Sequence, residues 1–105
     1  MTKVTLNPGV CGMATSIAVS NGSRGVVGLE IDTKCEMINK MGEALAEVQV
    51  REALKSHVDS IVYRKASEFR CHAACPVPMA VLKAIEAEIR MALPRPVSMN
   101  FEPKE

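Results

Sequence analysis

Two stretches of alternating apolar residues, separated by a short segment of turn-forming residues, constrain the fold of this chain most. The residues that share a face are Thr15, Ile17 and Val19 in the first stretch and Val27, Leu29 and Ile31 in the second. The segment Asn-Gly-Ser-Arg-Gly at 21–25 lies between them. Alternation with a period of two is typical of a strand that is buried on one face. The pattern therefore predicts a β-hairpin, with a loop longer than two residues, whose apolar face other elements must cover.

Two further strands are predicted, one at each end of the chain. Val4 and Leu6 alternate with polar residues until Asn7-Pro8-Gly9, a turn signal, ends the pattern. This turn places Cys11 in a glycine-flanked loop. Near the other end, Val97, Met99 and Phe101 alternate after two prolines and predict a last strand.

A first helix is predicted to begin near Lys34. Thr33 followed by Glu36 has the spacing of a capping box, which would place Cys35 in the first turn. The apolar positions at helical spacing are Met37 or Ile38, Met41, Leu45 and Val48. Residues 50–69 carry a looser apolar pattern, which we interpret as mostly helical.

The string CHAACPVP at residues 71–78 stands directly before a second, strongly apolar helical pattern. The stripe of this helix comprises Ala80, Leu82, Ile85, Ile89 and Leu93. Pro76 fits the first helical position, where its missing amide hydrogen would have been unpaired in any case. Pro94 and Pro96 predict the end of the helix. Cys75 is therefore expected at a helix N-terminus.

These elements predict one α+β domain over residues 1–105. We expect a two-layer sandwich with an approximately four-stranded, mainly antiparallel sheet, formed by the three N-terminal strands and the C-terminal one. Two or three helices would cover one face. Val26 and Gly28 make part of the opposite face less polar, so a homodimer through that face or an edge strand is a further expectation.

Composition excludes several classes of function. Lys and Arg number 13 against 12 Asp and Glu, and the chain has no Trp, one Tyr and two Phe. Nucleic-acid binders need a basic surface and stacking aromatic residues, so nucleic acid is not expected as a partner. The sequence has no apolar run of the ~18 residues of a membrane span and no signal-peptide pattern, which favours the cytoplasm. Nucleotide-binding, serine-hydrolase and HExxH metalloprotease motifs are absent from the sequence.

Four cysteines remain as the candidate chemistry: Cys11, Cys35, Cys71 and Cys75. In a reducing cytosol they are more typical of metal ligands or reactive thiols than of disulfides. Four thiolates complete a zinc site or hold an iron–sulfur cluster, and helix N-termini favour their negative charge. His72 can replace one cysteine as a ligand. The first hypothesis is therefore a metal site with these four cysteines as ligands.

The second hypothesis is a thiol that carries sulfur or redox equivalents. At a helix N-terminus the Cys75 thiolate is expected to be stabilised, which lowers its pKa and makes it the catalytic nucleophile under this interpretation. His72 could share its proton. Cys71 would be the resolving thiol that closes a disulfide on an oxidised or persulfidated Cys75.

The ten residues 75–84, CPVPMAVLKA, resemble the CPxP element of the TusA/SirA family of small sulfur-transfer proteins. In that family the motif opens the first helix of a two-layer sandwich, and its cysteine carries a persulfide. The resemblance implies Cys75 as a sulfur carrier and Pro76 and Pro78 as helix-start prolines. Here, however, the motif lies in the last third of the chain instead of following the first strand.

Over most of its length the chain is similar to an uncharacterised family of small cysteine-containing proteins from anaerobic prokaryotes. The residues that carry this similarity are NPGVCG at 7–12, the helix start at Cys35, HAACPVP at 72–78 and KAIE at 83–86. The similarity implies no activity. It does imply an anaerobic setting, in which an oxygen-sensitive cluster is stable.

A third hypothesis treats the cysteines as incidental. Free cysteine is among the most buried residue types, and methionine fills irregular gaps in cores. Under this hypothesis the chain is a structural or interaction domain for an unknown protein partner.

Overall fold

The computed structural model describes residues 1–104 and contains one antiparallel sheet. Its strands are β1 (Thr2–Leu6), β2 (Thr15–Asn21), β3 (Val26–Asp32) and β4 (Glu47–Gln49). They lie in the order β1-β2-β3-β4, so each strand pairs with its predecessor in the chain. The predicted hairpin is formed by β2 and β3. The predicted α+β class with a four-stranded antiparallel sheet is confirmed.

The register of the sheet places the apolar residues on one face. Ile17 lies between Val4 of β1 and Ile31 of β3, and Val19 lies opposite Leu29. Ile17 and Val19 are fully buried, whereas the residues that alternate with them are exposed or partly exposed. Because side chains alternate across a strand, this register fixes which face packs against the helices.

Four helices supply the rest of the core. They are α1 (Glu36–Ala44), α2 (Val50–Ala53), α3 (Ile61–Glu68) and α4 (Val77–Glu88). Helix α1 packs against β3, α4 packs against β1 and β2, and α3 contacts both α1 and α4. Their buried apolar residues join those of the sheet in one cluster. None of the helices within residues 1–104 is both long and apolar enough to span a membrane.

The predicted last strand is wrong. Residues 89–104, which we call the C-terminal tail, form neither helix nor strand, and Val97, Met99 and Phe101 are exposed. The fourth strand is instead β4, which follows α1 closely and places Val48 opposite Val27. β3 pairs with β2 on one side and with β4 on the other, so no edge of β3 is left for a C-terminal strand.

Both long helices are shorter than their apolar patterns predict. α1 ends at Ala44, and Val48 belongs to β4. α4 ends at Glu88. Arg90 adopts a left-handed φ of 62°, and the Met91 amide donates a hydrogen bond back to the Glu86 carbonyl at 2.9 Å. This is the closure that commonly ends a helix in the left-handed region.

The segment 50–69 is mostly helical, as predicted, but it forms two helices. Ser60 separates them and is fully buried. Its hydroxyl donates to the Ala53 carbonyl at 2.6 Å and accepts from the Val62 amide at 3.3 Å. Ser60 thus caps α3 and ties it to the end of α2.

Glu88 ties the last residue of α4 to the sheet. Its Oε1 accepts from the Thr2 hydroxyl at 2.7 Å, and its Oε2 accepts from the Asn21 backbone amide at 3.1 Å. These hydrogen bonds, of which the one from the Thr2 hydroxyl has the largest effect, hold the pKa of Glu88 below its ordinary value. A carboxylate at a helix C-terminus is otherwise unfavourable, so the bonds offset its interaction with the helix dipole.

We predict that Glu88→Gln destabilises the fold near neutral pH and that the loss disappears in acid. A carboxylate with a lowered pKa stabilises the folded state above its ordinary pKa, and that contribution is lost as the pH falls through the folded-state value. Thermal unfolding of both proteins between pH 7 and pH 3 measures the difference. Glu86→Gln, on the same helix, is the matched control. An equal Glu88→Gln effect at every pH would contradict the role of the charge.

Candidate functional site

All four cysteines line one pocket of about 380 Å³. Cys11 lies in the β1–β2 loop, Cys35 lies directly before α1, and Cys71 and Cys75 lie in the loop between α3 and α4. Cys11 is exposed, whereas the other three are partly buried and pack against the core. The fold thus brings together residues that are up to 64 positions apart (75 − 11) in the sequence.

The loop that carries Cys11 is a tight turn with left-handed glycines at both ends. Gly9 has φ of 104° and Gly12 has φ of 67°. The Gly12 amide donates to the Gly9 carbonyl at 2.9 Å, and the Asn7 side chain accepts from the Gly9 amide at 3.1 Å. Because a φ of 104° is open without strain to glycine alone and a φ of 67° favours glycine, the sequence NPGVCG fixes the turn that presents Cys11.

Cys35 is the N-cap residue of α1, and its backbone is held by two threonines. The Thr33 hydroxyl accepts from the Cys35 amide at 3.1 Å and is hydrogen-bonded to the Thr15 hydroxyl at 3.1 Å. The predicted capping box is wrong in detail, because Glu36 is the first residue of the helix and no side chain caps it. Thr33 holds the approach to the helix instead.

Cys71 follows the end of α3 through a left-handed residue. Arg70 has φ of 59°, and the Cys71 amide donates to the Ala66 carbonyl at 2.9 Å. This closure turns the chain sharply away from the helix axis. A turn then follows, in which the Cys75 amide donates to the His72 carbonyl at 3.0 Å. The two cysteines are thereby positioned by backbone hydrogen bonds on either side of this short turn.

Cys75 precedes α4, whose N-cap is Pro76 and whose first turn contains a second proline, Pro78. The expected helix start is therefore present, one residue later than predicted for Pro76. The backbone amide of Val77 donates to the Cys75 sulfur and acts to lower the pKa of that thiol. The helix N-terminus thus interacts with Cys75 as the sequence predicts.

The predicted lowering of the Cys75 pKa is nevertheless wrong. Burial raises the pKa of Cys75, and negative charge on Cys35 and Cys11 raises it further, against the Val77 amide. Burial also raises the pKa of Cys71, together with charge on Cys75 and Cys35. Charge on Cys11, Cys35 or Cys75 thus acts on a neighbouring thiol, and the raised pKa values of Cys71 and Cys75 favour the neutral form of these two thiols near pH 7.

His72 is exposed and lines the same pocket. Within residues 1–104, no three or more side chains of His, Cys, Asp or Glu stand in an arrangement that could hold a metal ion.

The pocket also contains residues that sequence reasoning did not assign to it. They are chiefly apolar or contain a thioether: Val10, Met13, Met37, Met99 and Phe101. Met99 and Phe101 come from the C-terminal tail, where the alternating pattern predicts a strand. Met13 and Met99 are exposed, whereas Met41 is fully buried in the core. Nothing in the sequence distinguishes the two exposed methionines from such a core methionine.

A protein-family profile described as a family of unknown function, DUF6951, matches residues 2–101, and the chain therefore belongs to this family. Comparisons with curated proteins and with solved structures gave no significant match.

We predict that iodoacetamide labels Cys11 of the metal-free protein first at pH 7. Cys11 is exposed, whereas a raised pKa leaves Cys71 and Cys75 with less of the reactive thiolate. Their labelling rates should climb as the pH rises towards the raised pKa values. Peptide mass spectrometry at pH 7, 8.5 and 10 measures the rates, with urea-unfolded protein as the control in which position no longer matters. Fastest labelling of Cys75 at pH 7 would contradict this assignment.

Proposed function

Because the family carries no assigned activity, we propose from the site itself that the protein binds a metal group, an iron–sulfur cluster or zinc, through Cys11, Cys35, Cys71 and Cys75. The observation that carries the proposal is the shared pocket, which four cysteines from three separate segments line. Within residues 1–104 no three of these side chains stand in a metal-holding arrangement, so binding requires the cysteine side chains to turn towards the ion. Four thiolates are the ligand set of structural zinc sites and of most iron–sulfur clusters.

The electrostatics of the pocket favour a cation at its centre. Gathered thiolates repel one another, because charge on neighbouring cysteines contributes to the raised pKa of both Cys71 and Cys75. A metal cation replaces the protons and offsets this repulsion. Two helices also begin at the site, directly after Cys35 and close to Cys75, and their N-terminal dipoles stabilise negatively charged ligands.

His72 offers an alternative ligand. It lines the pocket between Cys71 and Cys75, and a site of three sulfur atoms and one nitrogen is a known zinc arrangement. In that arrangement the exposed Cys11 is the ligand that His72 most simply replaces. Substituting Cys11 and His72 separately therefore distinguishes the two ligand sets.

A second candidate function is a sulfur or redox carrier in which Cys75 is the nucleophile and Cys71 the resolving thiol. The Val77 amide directed at the Cys75 sulfur favours it, as does the resemblance to the CPxP element. The raised pKa of Cys75 weighs against it, because a carrier thiol benefits from being a thiolate near neutral pH.

The proposal is tested by purifying the protein without oxygen from iron-supplied cells and by adding zinc to the metal-free protein. We expect either a broad visible absorption with bound iron or zinc at one ion per chain. A bound metal at 100 times its Kd should raise the unfolding free energy by about 2.7 kcal/mol. Stoichiometry and thermal unfolding with and without metal provide the two measurements.

We predict that Cys35→Ser, Cys71→Ser and Cys75→Ser each lower metal affinity by at least about tenfold, the smallest effect that loss of even an outer-shell partner commonly has. Ala73→Ser, in the same loop as Cys71 and Cys75, is the matched control, and His57→Ala is the control for His72→Ala. Absence of iron and zinc binding to the wild-type chain would overturn the metal proposal. Persulfide accumulating on Cys75 alone would favour the carrier.

A further inference from the structure

We propose that the pocket is a Cu(I) site in which the thioethers of Met13, Met37 and Met99 join the cysteine thiolates as ligands. The inference rests on the proposed function, since it requires that the cysteines bind metal. It goes further in naming the class of ion, a soft monovalent cation, and in assigning a role to three residues outside the cysteine set.

The first observation is the concentration of sulfur in the pocket. Seven of its 17 lining residues contain sulfur, the four cysteines and three of the seven methionines of the chain. Two of these methionines stand two positions after a cysteine, Met13 after Cys11 and Met37 after Cys35. The third, Met99, reaches the pocket from the C-terminal tail. Thiolate and thioether together are the donors that favour Cu(I).

The second observation is that packing does not account for two of these methionines, Met13 and Met99. Met41 is fully buried and has the expected role of a core residue, whereas Met13 is 39% exposed and Met99 is 79% exposed. An exposed thioether gains little from burial, so the hydrophobic effect gives no reason for its position beside the cysteines. Ligation of a soft cation does give such a reason.

The third observation concerns the donors that a hard cation would need. Among residues 1–104, those that line the pocket include no carboxylate, and the Thr15 hydroxyl is already engaged with the Met13 carbonyl at 2.9 Å. Oxygen-preferring ions such as Mg²⁺ and Ca²⁺ therefore find few donors. Val10 and Phe101 add apolar surface to the lining, which offers no further donor to a hard cation.

The charge around the bound ion also favours an additional ligand that is neutral. Each thiol that binds releases its proton to solvent and adds one negative charge, whereas a thioether adds a donor without charge. Recruiting a methionine in place of a third or fourth thiolate thus limits the charge that accumulates around a monovalent cation. No change of oxidation state is involved, because the ion is supplied and bound as Cu(I).

The experiment is an anaerobic competition for Cu(I), supplied as its acetonitrile complex, between the protein and the chromophoric chelator bicinchoninate. The variant carries Met13→Leu, Met37→Leu and Met99→Leu together, because leucine keeps the approximate volume and removes the sulfur. We expect Cu(I) affinity to fall by about tenfold, at the lower end of the losses that follow removal of a supporting group at a metal site. The control variant carries Met79→Leu and Met91→Leu, two methionines outside the pocket, and should bind as the wild type does.

The zinc affinity of the wild type and of both variants is measured as well, and it distinguishes thioether ligation from an effect on the shape of the pocket. A fall for Cu(I) with unchanged zinc affinity supports thioether ligation. Unchanged Cu(I) affinity overturns it and leaves the cysteine site standing. An equal fall for both ions also overturns it, because the methionines then act by shaping the pocket. Failure of the wild-type chain to bind Cu(I) overturns this inference even if iron or zinc binds, whereas failure to bind both iron and zinc overturns the proposed function.

Discussion

The hydrogen bonds at Glu88 hold the C-terminal end of α4 at one end of the sheet, and the position of the cysteine pocket depends on the direction in which α4 crosses the sheet. Thr2 and Asn21, which hold the Glu88 carboxylate, lie at the same end of the sheet, since Thr2 pairs with Val19 on the strand that ends at Asn21. α4 has 12 residues, so it spans about 18 Å and begins at the opposite end. Cys75, just before the helix, is therefore delivered to that opposite end.

The antiparallel register delivers Cys11 and Cys35 to the same place. Leu6 at the end of β1 pairs with Thr15 at the start of β2, and Asp32 at the end of β3 pairs with Ser16. The β1–β2 loop and the connection from β3 to α1 thus leave the sheet together. Cys11 and Cys35 lie on these two segments. Strand direction alone therefore brings the two residues to the same end of the sheet, without any contact between their thiols.

Local signals in the sequence therefore predicted the positions of the cysteines relative to strands and helices better than they predicted the fourth strand. Turn glycines, alternation and a proline-marked helix start are set by backbone preferences, and they correctly placed three cysteines at the ends of elements. The fourth strand depends on tertiary context instead. Glu47–Gln49 has one buried residue, Val48, and becomes a strand only because α1 ends beside the free edge of β3. Val97 and Phe101 have the better pattern but lie where no edge of β3 remains.

The two opposing effects on Cys75 show why a helix N-terminus does not by itself make a nucleophile. The Val77 amide favours the thiolate, but burial and neighbouring thiols oppose it more strongly, so the pKa of Cys75 rises. For a free thiol these opposing effects reduce reactivity. For a thiolate that binds a metal ion, burial and repulsion cost less, because the bound cation neutralises the negative charge of the thiolate. The crowding of thiols that weakens the case for a carrier is thus the property that a cation site requires.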